Sequence, residues 1–216
     1  MMLAPLGIAC LDVGAETGWA TGVRGRWSVG SVLVELVGKL DRILSGGGRI
    51  ALGIESPLYV PRRAAPAEVR KGRIHEGNRA WSASAGCTAL ATGLVQLDWM
   101  LREIKERHPK LLGTTRWTEF GTKGRNLFLW EGFVTGSQGD QVDLPFVTGE
   151  HTAHSKDALA AAILFKKMSD GGEVLSVLGE EPALSLAGTA LLANGLSGDL
   201  SLLTDRCVVV KARKPA

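Results

Sequence analysis

Three short β-prone runs follow one another before any helical period appears, and from there strands and helices alternate. Gly7 to Gly14 (GIACLDVG) is an apolar run closed by a Gly turn. Thr17 to Arg24 and Arg26 to Val34 come next, with Gly25 between them as a hairpin turn. Leu36, Leu40, Ile43 and Leu44 then recur at helical spacing until Gly46-Gly47-Gly48 stops them. Ile50 to Glu55 is again a short apolar run. Leu90, Leu94, Leu97, Leu101 and Ile104 draw one stripe along a helix of about five turns. Leu127 to Val134 reads as a strand, Thr135 to Glu150 as a polar loop, and Lys156 to Met168 as a buried helix. Three sequential strands make an antiparallel meander, whereas the later alternation demands parallel crossovers. The expected fold is α/β, a mixed five-stranded sheet with helices on both faces.

At 216 residues, 45% of them hydrophobic, the chain has material for one sizeable core and not for two comfortable domains. The frame is placed at residues 1–170, with a basic insertion at about 56–86. Residues 171–216 are read as a C-terminal extension packed on the same domain. They are ambiguous apart from Cys207 to Lys211, which reads as a strand. The longest apolar stretch, Ala183 to Leu196, is broken by Ser185, Gly188, Thr189 and Asn194 and is too short to span a membrane. No basic segment precedes the apolar start, and three scattered cysteines make no disulfide framework or zinc knuckle. A reducing cytoplasm is the expected compartment.

The net charge of +3 is unevenly distributed. Residues 61–80 hold a balance of +4 through Arg62, Arg63, Arg70, Lys71, Arg73 and Arg79 against Glu68 and Glu76. Arg206, Lys211, Arg213 and Lys214 add four more near the end, leaving −5 on the rest. An acidic body with basic attachments suits a polyanionic partner. The six cations at 62–79 are expected to contact phosphates. Trp81 beside them offers a stacking surface for single-stranded or branched nucleic acid, or else folds back over the core.

Asp12 sits near the end of its apolar run among Ile8, Cys10, Leu11 and Val13, and Glu55 ends the run Ile50–Ile54 in the same way. A carboxylate at such depth costs several kcal/mol, an order-of-magnitude figure, unless it is paired, protonated or bound to a metal. Both stand at the carboxyl ends of expected parallel strands, where open α/β sheets place their sites. Asp157 is read into the first turn of the buried helix, whose Ala158, Ala160, Ala161 and Ala162 permit close approach to the sheet. Three convergent carboxylates repel unless a cation lies between them, and hard oxygen donors favour Mg2+ or Mn2+. Glu131 is either a fourth acid near the cluster or a carboxylate at a strand exit. The His151-x-x-His154-x-x-Asp157 spacing does not place all three on one helical face and makes a poor transition-metal motif.

LDVGAETGWATG, IESPLYVP and HSKDALAAAILF resemble the three acidic motifs of the RNase H-like nuclease superfamily, nearest to RuvC-type resolvases and related predicted nucleases. Asp12, Gly14 and Thr17-Gly18-Trp19 match its first strand, Glu55-Ser56-Pro57 its fourth, and His154 with Asp157-Ala158 the opening of its last helix. The three motifs span residues 7–165, while the basic excursion and the last forty residues match nothing in the pattern. The resemblance implies a divalent-metal-dependent nuclease that hydrolyses phosphodiester bonds. Asp12, Glu55 and Asp157 would hold one or two Mg2+ or Mn2+ ions. His154 would orient a ligand, position the attacking water or contact the scissile phosphate. The partner is then nucleic acid, with DNA against RNA and monomer against homodimer left open. A non-catalytic binding module on the same fold is one alternative. An actin-like phosphotransferase is another, but it needs a second domain for which the chain has little room.

Overall fold

Alternating burial builds the strands, and a 3.6-residue period builds the helices that cover them. The computed structural model describes residues 4–14, 16–77, 80–133, 143–149 and 151–211. An antiparallel meander opens the fold: β1 (Leu6–Asp12), β2 (Gly18–Val23) and β3 (Arg26–Gly30). The β2–β3 turn holds Arg24 at φ 51° and Gly25 at φ 78°, the left-handed pair that a two-residue hairpin requires. Helix α1 (Leu33–Ser45) crosses to β4 (Arg49–Glu55), which pairs parallel with β1. Short β5 (Tyr59–Pro61) follows, then the long helix α2 (Ser84–Arg107), β6 (Leu112–Thr114) and β7 (Arg125–Phe133). The chain continues through β8 (Val147–Gly149), α3 (Ala153–Asp170), β9 (Ala183–Ser185), α4 (Leu186–Ala193) and β10 (Val208–Lys211).

The architecture is α/β with a mixed sheet of eight strands among the described residues, in place of the expected five. Its order is β10-β7-β4-β1-β2-β3-β8, and β6 pairs with the first half of β7. Two of the additional strands, β6 and β8, are three residues long, too short to show a period of their own, and the third, β10, is the run expected at Cys207 to Lys211. Strands β5 and β9 pair separately, antiparallel. Residues 171–211 are therefore woven in at two places, through β9 on β5 and through β10 on β7.

The pleat divides the core in two. Ala9, Leu11, Leu52, Ile54 and Leu129 pack with α1, α2 and α4. Ile8, Cys10, Ala51, Phe128 and Trp130 pack with α3. Helix α3 is fixed at both ends. Phe165 stacks on Trp130 with ring centroids 4.5 Å apart and packs edge-on against Trp117. At the other end, Thr152 and Ser155 form a reciprocal capping box. This seats the start of α3 over the carboxyl end of β1. Among the described residues, no helix is long and apolar enough to cross a membrane.

Candidate active site

Asp12 and Glu55 are register partners at the ends of β1 and β4. Parallel neighbours lie about 4.8 Å apart, so two carboxylates share one edge of the sheet. They project on the α3 side, since Cys10 two residues before Asp12 packs there. Asp12 is 9% exposed. Its Oδ2 lies 2.7 Å from His154 Nδ1, and its Oδ1 accepts from the Gly14 N–H at 3.1 Å. Burial pushes the Asp12 carboxyl above its usual range, and the bond to His154, its charge and the Gly14 N–H offset part of that rise. Burial also raises the thiol of Cys10, and the charges of Glu55 and then Asp12 raise it further.

The glycines around Asp12 make room for that histidine. A Cβ at Gly14 would collide with the His154 ring, and one at Gly18 with the backbone of His154 and Ser155. Gly14 and Gly18 thus let α3 approach until an imidazole meets the carboxylate.

Asp157 is the fifth residue of α3 and lies in its second turn, because the helix begins at Ala153 and not near Lys156. The expected first-turn placement is corrected accordingly: no acid occupies that turn. His154, Asp157 and Ala161 follow one face at i, i+3 and i+7. Ala161 Cβ lies 3.4 Å from where a Gly132 side chain would begin, beside Glu55 Cγ at 2.9 Å. Asp157 is half-buried on the stripe between His154 and Ala161.

The donor chemistry fits a divalent cation. Asp12 and Glu55 are adjacent hard-oxygen donors, and each Asp12 oxygen keeps a lone pair beyond its present hydrogen bond. Among the described residues, no three or more His, Cys, Asp or Glu side chains are already gathered around one point.

Glu131 is neither a fourth acid of this group nor a carboxylate at a strand exit. It pairs with Ile54 in the β4–β7 register, which puts it on the other face of the sheet. It is fully buried. Its oxygens accept from Arg73 Nη1 at 2.7 Å and Nη2 at 2.6 Å, and from the Leu58 N–H at 2.9 Å. Arg73 Nε also donates to Glu76 Oε1 at 2.9 Å, and its guanidinium lies 4.7 Å from the Tyr59 ring centroid. Burial opposes the Arg73 charge, but Glu131, Glu76 and Tyr59 together outweigh it and raise its pKa above the ordinary arginine range.

Arg73 is therefore an internal tie, which corrects its expected role as a phosphate contact. Arg63 is likewise engaged, with Glu181 at 2.7 Å and the Gly72 carbonyl at 2.7 Å. Arg62, Arg70 and Lys71 are exposed, and Lys71 pairs with Glu68 at 2.9 Å. Arg79 lies outside the described residues, as do Arg213 and Lys214. His151 is exposed.

A cleft of about 460 Å³ opens beside Glu55. Pro57, Trp81, Ala89 and Phe133 give it an apolar lining, and Ala83–Gly86 at the start of α2 form one wall. Trp81 is half-buried there. Its backbone N–H donates to Glu76 Oε1 at 3.1 Å and its indole N–H to the Lys71 carbonyl at 3.2 Å. The ring is thus held by the strap that Arg73 anchors. The small-residue run Ala83-Ser84-Ala85-Gly86 was the sequence signal for this wall, but no period marks it. Protein-family models, curated proteins and solved structures give no match to this chain.

Proposed function

We propose that the chain is a divalent-metal-dependent nuclease of RNase H-like fold that hydrolyses phosphodiester bonds in nucleic acid. The supporting observation is the in-register pairing of Asp12 with Glu55 at the carboxyl ends of two parallel strands, with His154 bonded to Asp12. Asp12 and Glu55 would hold the ion, Mg2+ or Mn2+, with Asp157 as the third ligand from α3. When bound, such an ion supplies Lewis-acid stabilisation of phosphate charge and lowers the pKa of water.

The chain's own residues do the rest. Asp12 holds the imidazole of His154 by Nδ1, which leaves Nε2 to exchange a proton with the attacking water or to meet a phosphate oxygen. Trp81 offers a base a fixed stacking face one cleft-width from Glu55. Arg62, Arg70 and Lys71 supply positive charge on the outer surface of the strap.

The test is a cleavage screen of single-stranded, duplex and junction DNA and RNA in Mg2+, Mn2+ or EDTA. At least one substrate should be cut with metal and none with EDTA. Asp12→Asn should abolish cutting, and His154→Ala should lower turnover about 100-fold or more. Intact substrates throughout, or wild-type turnover in Asp12→Asn, would overturn the reading.

A further inference from the structure

We propose that the pocket between α1 and the β2–β3 hairpin is a phosphate-binding site. Thr21, Arg26 and Ser28 of the hairpin and Lys39 and Arg42 of α1 line a space of about 190 Å³. Three of these side chains are cations and two are hydroxyls, and no carboxylate lines the pocket.

The placement follows from register and helical period. Thr21 pairs with Ser28 and Val23 with Arg26 across the hairpin. Lys39 and Arg42 are three residues apart on α1 and so face the same way. Among the described residues, none of the three cations takes part in an ion pair with a carboxylate. Arg42 Nε donates to the Gly38 carbonyl at 3.1 Å, and Lys39 Nζ lies 5.8 Å from the Trp19 ring centroid. This contrasts with Arg63 and Arg73, whose charges are met inside the molecule.

A second observation points to a ligand. Thr21 is 4% exposed, yet its hydroxyl has no hydrogen-bond partner among the described residues. Buried hydroxyls are normally satisfied, and rotation of the Thr21 side chain towards the pocket that it lines would give this one a ligand oxygen. Three like charges facing one space repel until an anion sits among them. Arginine forks match the oxygens of phosphate, and a pocket below the ~300 Å³ of drug-sized ligand sites suits a group of that size.

The site does not depend on the nuclease reading. Thr21 pairs with Ala9, three residues along β1 from Asp12, or about 10 Å. It lies on the α1 side of the sheet and not on the α3 side, so a phosphate here is not one held by Asp12 and Glu55. The phosphate belongs either to a nucleic-acid backbone running past the sheet edge or to a phosphorylated small molecule.

The full chain is titrated with inorganic phosphate at constant ionic strength, and its thermal midpoint is compared with chloride. The midpoint should rise with phosphate alone. Arg42→Gln and Lys39→Gln should each weaken phosphate binding about tenfold. Arg102→Gln, which removes a surface charge paired with Asp98 on α2, should leave it unchanged. A second arm measures binding of a single-stranded oligonucleotide to Arg42→Gln. A parallel loss assigns the site to backbone phosphate, and unchanged affinity assigns it to a phosphorylated small molecule. No rise in the wild type, or a rise undiminished in both pocket variants, overturns the proposal.

Discussion

Asp12 carries two opposed demands: its burial favours the neutral acid, and its bonds to His154 and the Gly14 N–H favour the carboxylate. The net rise in its pKa makes stability depend on pH in a definite sense. Between the unfolded value, about 3.9, and the raised folded value, the native protein binds a proton that the unfolded chain has lost. Stability therefore falls as pH rises through that window, and the full penalty persists above it. Asp12→Asn removes this contribution, so its thermal midpoint should gain on the wild type between acid and neutral pH. Parallel midpoint–pH curves for the two proteins would refute the assignment.

At the scale of elements, the basic excursion is an anchored strap. The Gly179 N–H bonds to the Ile74 carbonyl at 3.0 Å, the Arg62 N–H to the Pro182 carbonyl at 2.8 Å, and Arg73 reaches through to Glu131. Removing one partner of a buried charge pair strands the other in the core. Arg73→Met should cost about 3–5 kcal/mol in denaturant unfolding and shift Trp81 fluorescence as the cleft wall loosens. Adding Glu131→Gln removes one of the two stranded carboxylates, Glu76 being the other, while keeping an acceptor for the Leu58 N–H, and should recover part of the loss. A cost for Arg73→Met below about 1 kcal/mol would show that the tie contributes little.

For the whole molecule, the surface charge available to a polyanion is smaller than the composition of residues 61–80 implies. Arg73 is buried and Arg63, half-buried, is engaged with Glu181, which leaves Arg62, Arg70 and Lys71 exposed on the described strap. Replacing Arg70 and Lys71 together with Ala should weaken single-strand binding alike for all sequences. The slope of log K against log salt should flatten by roughly 1.4, at about 0.7 per lost phosphate contact. Salt titrations of both proteins measure this directly, and an unchanged slope would move the grip elsewhere. The thermal midpoint should scarcely move, because the one ion pair lost among the described residues, Lys71 with Glu68, is at the surface.

Local pattern was enough to read the meander, the parallel crossovers, the three main helices and the end-of-strand positions of Asp12 and Glu55. Those features rest on period and turn chemistry, which any short window of sequence carries. The short strands β6, β8 and β9 were illegible because three residues hold no period, and long-range pairing alone makes them strands, whereas β10 was legible as Cys207 to Lys211 and only its place in the sheet was not. The side of the sheet on which Glu131 lies was equally hidden. Its spacing from Leu129 and Phe133 was visible, but its opposition to Glu55 follows from a register between strands seventy-odd residues apart in sequence. Arg73 shows the limit most clearly. In a run of six cations it looks like its neighbours, and its burial was decided by a carboxylate fifty-eight residues away that no local window contains. Sequence alone placed the residues at strand ends and on helix faces. Only the tertiary structure decided which charges met each other and which were left to meet a ligand, because an ion pair depends on distance in space.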